Sequence, residues 1–262
     1  MIDVQNQPDN RGIPIQQTGV SGVCLPFLID DGGRTQPVQA LVRFTVALNE
    51  NLRGTHMSRL MEILEDWTNK PIAFRSLDYI LREAIDKLET NAAHIRLDFK
   101  YFVERQAPVS GRTSLLDVDS SLAASVVDGM TSFQLGLSVP FTTLCPCSRE
   151  ISTVGAHNQR SVCSVMLSFS GGPTITIDEL TALIEKQASS PIVPLLKRED
   201  EKFVTEAAYN NPKFVEDILR DVVTALRTIR GLRTFSIECE NFESIHNHNA
   251  FALHDEIVGG SG

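Results

Sequence analysis

The sequence predicts an α+β fold of two successive β-β-α-α-β-β modules, each an antiparallel sheet with helices on one face. Three observations predict it. Apolar residues alternate at period two through several long stretches, the signature of half-buried strands. Between those stretches lie two pairs of segments whose apolar residues recur every three to four positions, the spacing of one helix face. The same order of elements then occurs twice along the 262 residues, with no residue-level identity between the halves.

Residues 20–29 form the first strand and pair across Asp30-Asp-Gly-Gly33 with a second, in which Ala40, Val42, Phe44, Val46 and Leu48 alternate with Arg43 and Thr45. Two helices follow. Ser58 is placed to cap one that turns Leu60, Ile63, Leu64 and Trp67 to one side, and Ser76 to cap another carrying Leu77, Leu81, Ala84, Ile85 and Leu88. Ile95, Leu97, Phe99 and Tyr101 alternate with His94, Arg96, Asp98 and Lys100, and a further strand covers 115–127. Asp128-Gly129 makes a tight hairpin turn into the strand of Phe133, Leu135, Leu137, Val139 and Phe141. Cys163, Val165, Leu167 and Phe169 mark the next strand. Thr176 and Glu179 have capping-box spacing ahead of Leu180, Leu183, Ile184 and Ala188. Asn211-Pro212 opens a helix with Phe214, Val215, Ile218, Leu219, Val222 and Leu226, and the strands of Phe235, Ile237 and Cys239 and of 250–257 close the second half. The expected modules are 18–128 and 129–257, with 1–17 a disordered or extended arm and 258–262 a flexible tail. Their open sheet edges favour joining to other copies in a closed barrel.

Hydrophobic residues make up 42% of the chain, enough apolar surface for real cores. There is no run of about 18 apolar residues to span a bilayer and no export signal at the start, so a cytoplasmic protein with no membrane partner is expected. A net charge of −9 argues against nonspecific nucleic-acid binding, which needs a basic face. It leaves room for a phosphorylated small substrate where a few cations gather locally. Five cysteines is an odd number, and Cys145 and Cys147 lie two apart, which points to thiol chemistry or metal binding more than to a disulfide framework.

Cys24, Cys163 and Cys239 read as ordinary buried apolar residues. Cys145 and Cys147 read differently, because Pro146 fixes the backbone between two thiols at an exposed turn, and His157 follows just ahead of the next strand. Thiolate and imidazole together suit a transition metal, a structural zinc or a Cys/His hydrolytic pair. His246 and His248, spaced by one residue, project to one side of an extended backbone or simply cap the hairpin there. The long connection 187–211 reads either as a solvated face or as a functional loop giving one carboxylate and one or two cations to a phosphate. Gly54-Thr-His-Met-Ser-Arg59 precedes a helix whose free N–H groups can meet an anion, with a plain cap and a surface arginine as the alternative.

Taken together, Gly54-Thr-His-Met-Ser-Arg59, Pro108-Val-Ser-Gly111, Leu144-Cys-Pro-Cys-Ser148, Gly155-Ala-His-Asn-Gln-Arg-Ser161, Leu195-Leu-Lys-Arg198, Asn211-Pro-Lys-Phe-Val-Glu-Asp217 and Glu240-Asn-Phe-Glu-Ser-Ile-His-Asn-His248 closely resemble the type IB GTP cyclohydrolase family. The likeness spans nearly the whole chain, with the blocks in the family's order. It implies the tunnelling fold, whose modules assemble into barrels, and a homotetramer. By position, Cys145, His157 and Glu201 match the family's metal ligands, and His246 matches the histidine beside that metal, so one divalent ion (Mn, Fe or Zn) per site is implied. Cys147 matches the second thiol near the reacting carbon, and Glu216 the carboxylate that anchors guanine, a role its two acceptor oxygens suit.

The implied reaction is hydrolysis of GTP at guanine C8, with water acidified by the ion. His246, or else His248, shuttles protons during ring opening and loss of formate. Sugar rearrangement and reclosure then give 7,8-dihydroneopterin triphosphate, a folate precursor. His56, Arg59, Arg112, Arg160, Lys197 and Lys202 are the candidate triphosphate partners. Two rival readings are a tunnelling-fold deazaguanine nitrile reductase, with a thiol nucleophile, NADPH and no catalytic metal, and a nonenzymatic oligomer with a fully ligated structural zinc.

Overall fold

A computed structural model of the chain describes residues 4, 5 and 7–258, so the start and end of the expected terminal segments lie outside the described residues. The first hairpin joins β1 (Ile15–Asp31) to β2 (Arg34–Leu48) through Gly32 and Gly33, whose φ angles of 67° and 94° are those of a two-residue primed turn. Helix α1 (Met57–Trp67), the short β3 (Pro71–Ile72), α2 (Phe74–Leu88) and β4 (Ala92–Gln106) follow. Strand β5 (Thr113–Val127) turns through Asp128 and Gly129, at φ 48° and 79°, into β6 (Met130–Leu144). Next come α3 (Pro146–Ile151), β7 (Asn158–Phe169), α4 (Ile177–Glu185) and β8 (Ser190–Pro191). Helices α5 (Arg198–Asn210) and α6 (Val215–Leu226) precede β9 (Leu232–Asn241) and β10 (Ala250–Ile257). The strands hydrogen-bond in the order β10-β9-β7-β6-β5-β4-β2-β1-β3, with β8 on β6.

Two compact units emerge. Of the described residues, one comprises those up to Lys100 with Ser121–Leu135 and Ser168–Pro173; the other comprises Tyr101–Ser120, Gly136–Leu167 and those from Thr174 onward. In the first, α1 and α2 pack on each other and α1 packs on β1, because Leu60, Ile63 and Leu64 of α1 and Leu77, Ile80, Leu81 and Ala84 of α2 form continuous apolar stripes that water would otherwise wet. They bury with Phe27, Phe44 and Ile72 of the strands. In the second, α6 packs on β9 and β10 through a stripe containing Ile218, Val222 and Leu226, and α4 packs on α6. Arg105 crosses to Glu185 at 2.7 Å. Burial pushes the Glu185 carboxyl up, and the arginine opposes that shift.

Several local expectations give way to different geometry. Ser58 does not cap α1: the N-cap is His56 and no side-chain cap bond forms. Ser76 is the third residue of α2, and its hydroxyl accepts the N–H of Ala73 at 3.2 Å, the return half of a capping box. The expected Thr176/Glu179 box ahead of α4 does form, with Glu179 N–H on Thr176 Oγ1 at 3.1 Å. The helix expected at Asn211-Pro212 starts at Val215, where Asp217 accepts the N–H of Phe214 at 3.0 Å. The connection 187–211 is no open loop; it holds β8 and the thirteen-residue α5. Cys24 is exposed, whereas Cys163 and Cys239 are buried. The register of β1 shifts between Ser21 and Val23, so Cys24 stands opposite Leu41 on the outward phase.

Gly19 sits opposite Thr45 in the β1–β2 ladder, where a Cβ would strike the Phe44 carbonyl oxygen and come within 2.8 Å of Thr45 Cα. Neither contact is the yielding tip of a side chain. Gly19→Ala is therefore expected to cost on the order of 1–3 kcal/mol of stability in denaturant unfolding, the usual toll of overpacking. An unchanged midpoint would show that the strand can move aside.

Candidate functional site

The Cys-Pro-Cys segment leaves β6 and at once turns into α3. Cys145 is the N-cap of that helix, Pro146 supplies its preset first φ, and the Cys145 sulfur accepts the N–H of Ser148 at 3.4 Å. A six-residue helix has little stability of its own, so its position depends on ties to its surroundings. Two of these join it to the segment ahead of β7. The Cys145 N–H donates to the His157 carbonyl at 3.1 Å, and the His157 N–H donates to Ser148 Oγ at 3.2 Å. A third tie is the Arg149 guanidinium over the Tyr209 ring of α5, 4.8 Å from its centroid.

Behind His157 runs a buried polar chain. Thr143, Gln159 and Ser161 are at most 6% exposed in strands otherwise filled by apolar residues. Gln159 Nε2 donates to Thr143 Oγ1 at 2.9 Å, and Thr143 shares a further bond with Ser161 at 2.8 Å. With its amide nitrogen engaged there, Gln159 turns its oxygen to His157 Nδ1 at 3.0 Å. An oxygen accepts only, so this bond selects the neutral tautomer with its proton on Nδ1 and its lone pair on Nε2. Glu243 Oε2 lies 3.9 Å from the same Nδ1 and favours that tautomer. The sequence reading gives these supporting residues no role, although Gln159, Ser161 and Glu243 lie inside its motif blocks. Their signal was polar residues at inward strand positions, which need partners when buried.

Other segments converge on the same strand end. Leu144 donates its N–H to Ser189 Oγ at 3.2 Å and accepts the Lys213 N–H at 3.1 Å, and Phe242 N–H bonds the Arg160 carbonyl at 3.0 Å. Glu216, in the first turn of α6, is thus three residues beyond a direct tie to Leu144, and its side chain is exposed. His246 and His248 stack with ring centroids 5.0 Å apart on the exposed β9–β10 connection, where the backbone is a run of bends and not the extended segment for which their spacing predicts a same-side projection. Glu201, Lys202 and Lys197 lie exposed at the N-terminal end of α5; Glu201 is about 12 Å of helix axis ahead of Tyr209. Arg112 and Arg160 are exposed, as is Cys147. In the other unit, His56 and Arg59 line a cleft of about 900 Å³, and Arg59 donates to the Lys87 carbonyl at 2.7 Å.

Among the described residues no three His, Cys, Asp or Glu side chains stand grouped so as to hold a metal ion. The chain's own folding joins Cys145 to His157 and leaves Glu201 and His246 on separate elements. The Cys145–His157 pair still fits a transition metal in donor chemistry, since one ligand is a sulfur and the other an imidazole whose second nitrogen is tied by an oxygen acceptor.

A family described as type I GTP cyclohydrolase folE2 matches residues 1–252. GTP cyclohydrolase FolE2 of Pelobacter propionicus is 45% identical over 253 residues, covering 96% of this chain and 97% of that protein. The FolE2 protein of Geobacter sulfurreducens is 46% identical over 253 residues, 96% of each. Among solved structures, uricase from Arthrobacter globiformis aligns with a TM-score of 0.59 at 8% identity, over 94% of this chain and 95% of that one. A highly active mutant of Bacillus sp. TB-90 urate oxidase aligns at 0.53 and 10% identity, over 93% and 100%. These structural likenesses establish the fold, which is the tunnelling fold that the sequence motifs imply.

Replacing Gln159 by Leu removes the acceptor that sets the His157 tautomer. Imidazole ¹⁵N shifts are expected to report a proton on Nδ1 in the parent and a mixture of tautomers in Gln159→Leu. Identical spectra would mean that the tautomer is set elsewhere.

Proposed function

This chain belongs to the FolE2 family of type I GTP cyclohydrolases, and on that premise we propose that it hydrolyses GTP at guanine C8, releases formate and forms 7,8-dihydroneopterin triphosphate, the first step of folate biosynthesis. The observation that carries the reading is the pair of bonds that fix His157 against the Cys-Pro-Cys turn, one from the Cys145 N–H and one to Ser148 Oγ, in a chain that matches this family almost end to end.

One divalent ion, Mn, Fe or Zn, would be held by Cys145 and His157, with Glu201 completing the set and His246 beside it. Bound there, it would supply the Lewis acidity that lets water attack an electrophilic carbon near neutral pH. Gln159 and Glu243 hold the His157 ring in its ligating tautomer. Glu216 accepts the guanine N1–H and the exocyclic amine, and so orients C8. His246, with His248 stacked beside it, moves protons between the opening ring and solvent, a task suited to imidazole. Cys147 stands next to the reacting carbon. Arg112, Arg160, Lys197 and Lys202, of the same unit as Cys145 and His157, neutralise the triphosphate.

The working form is a homotetramer in which sheet edges of neighbouring copies join into barrels. Strand β10 supports this, since it ends the sheet and leaves Phe251, Leu253 and Ile257 more than half exposed, at 56%, 52% and 72%. No helix of the described residues is long and apolar enough to cross a membrane. All five cysteines are free thiols, which supports a reducing, cytoplasmic location.

Stripping the protein of metal and incubating it anaerobically with GTP is expected to abolish formate release. Adding back Mn, Fe or Zn restores formate and a fluorescent oxidised pterin; activity that needs no metal would overturn the reading. Cys145→Ala is expected to lose retained metal and more than about 100-fold of turnover while staying folded, beyond the toll of losing an outer-shell partner. Undiminished activity removes Cys145 from the ligand set. Glu216→Gln should raise the Kd for GTP about 10- to 100-fold with metal still bound, the loss expected for a hydrogen bond to a charged group. Unchanged GTP affinity would refute the anchoring role.

A further inference from the structure

Asp200 has no exposed surface, yet it belongs to a helix that faces solvent almost everywhere. Of the thirteen residues of α5, Asp200 and Ala208 alone are buried. Apolar packing therefore does little to hold the N-terminal half of this helix, where Glu201 and Lys202 lie. A carboxylate holds it instead. Asp200 Oδ1 accepts the N–H groups of Val109 and Ser110 at 2.8 and 2.9 Å, and Oδ2 accepts the Ser110 hydroxyl at 2.6 Å and the Lys197 N–H at 2.8 Å. Four donors fill the four acceptor positions of one carboxylate. Burial alone would push the Asp200 carboxyl up; the bonds from Ser110, Lys197 and Val109 outweigh it and hold the group well below the usual carboxylate range.

The Lys197 bond is an ordinary helix-capping contact, but the other three reach a loop about ninety positions earlier in the chain. That loop, 107–112, closes on itself through Ala107 N–H to the Arg112 carbonyl at 2.9 Å and Gly111 N–H to the Ala107 carbonyl at 3.1 Å, with Gly111 at φ 67°. Ala107 is buried, but Val109 is 54% exposed and Arg112 is exposed, so the loop has little apolar anchorage. A capping residue needs only its own helix; this one joins two weakly anchored segments that each carry a candidate site residue.

We propose that Asp200 is a positioning residue that couples the 107–112 loop to the first turn of α5, so that Arg112 and Glu201 are presented as one rigid unit. The proposal rests on the reading of Glu201 as a metal ligand and Arg112 as a triphosphate partner. In that frame Asp200 touches neither substrate nor ion. It sets the spacing between the group that neutralises phosphate and the group that completes the metal site, and loosening it weakens both at once.

Asp200→Asn tests this in the full-length holoenzyme, because an amide turns an NH₂ toward groups that are themselves donors. The variant is expected to keep its far-UV circular dichroism and oligomeric state. Hydrogen exchange should quicken jointly in 109–111 and 198–202, the KM for GTP should rise about 10-fold, and affinity for added Mn should fall about 10- to 100-fold, the toll of losing a supporting shell. Ser110→Ala removes only the hydroxyl bond and covers the case in which the Asn variant fails to fold; it should shift the same readouts in the same direction by about 3-fold or more. A folded Asp200→Asn, or a Ser110→Ala, that lowers Tm but leaves KM, Mn affinity and local exchange unchanged overturns the proposal. Glu201→Gln, run in parallel, separates the two claims. If it binds Mn and turns over GTP like the parent, the assignment of Glu201 fails; if it is impaired while the Asp200 and Ser110 variants are not, the coupling alone fails.

Discussion

The Cys145 N–H bond to the His157 carbonyl, 3.1 Å long, closes the excursion of the chain between β6 and β7. Holding the ends of a dozen-residue segment together costs about 2 kcal/mol of chain entropy by loop-closure scaling, more than one net backbone hydrogen bond returns. The closure is stable because it does not stand alone. Helix α3 takes up half of the segment, Ser148 adds a second bond to His157, and Arg149 stacks on Tyr209. Thiol and imidazole are thereby brought to one strand end before any ligand arrives, and preorganisation of this kind keeps ordering costs out of binding.

The same strand end shows how polar groups survive in an apolar sheet. Thr143, Gln159 and Ser161 each occupy an inward position, and each is satisfied by the next in line, ending on His157. Leaving any one without its partner would cost about 1–3 kcal/mol, so the chain is stable only when complete. Completeness also fixes direction: the donor end lies at the imidazole, and the bonds run from it through Gln159 to Thr143. A structural requirement of burial thus becomes a chemical property of the ring. The FolE2 relatives match this chain over nearly its full length, so its membership rests on the whole sequence as well as on these few residues.

Long strands were legible because a two-residue period over ten or more positions has few competing explanations. The Asp128-Gly129 turn was legible because few residue pairs tolerate two successive positive φ angles. Helix starts were less so. Ser58 and Ser76 both have the chemistry of a cap, yet α1 starts from His56 and α2 from Ala73, because apolar packing sets where a helix must begin and capping adapts to it. Helix α5 escaped notice because its apolar stripe is nearly absent; its one buried polar anchor is indistinguishable in sequence from the acidic residues beside it. Helix α3 escaped because six residues carry no periodicity.

Periodicity, turn chemistry and the order of motif blocks were enough to specify the order of the long strands and of four of the helices, the tunnelling fold and the chemical family, since each is a local property repeated or arranged along the chain. The tautomer of His157, the roles of Gln159 and Glu243, and the tie of Asp200 to a loop about ninety residues away were beyond local reading. They depend on which donor meets which acceptor once distant segments pack, and a hydrogen bond forms or fails over a few tenths of an ångström that spacing along a chain cannot encode.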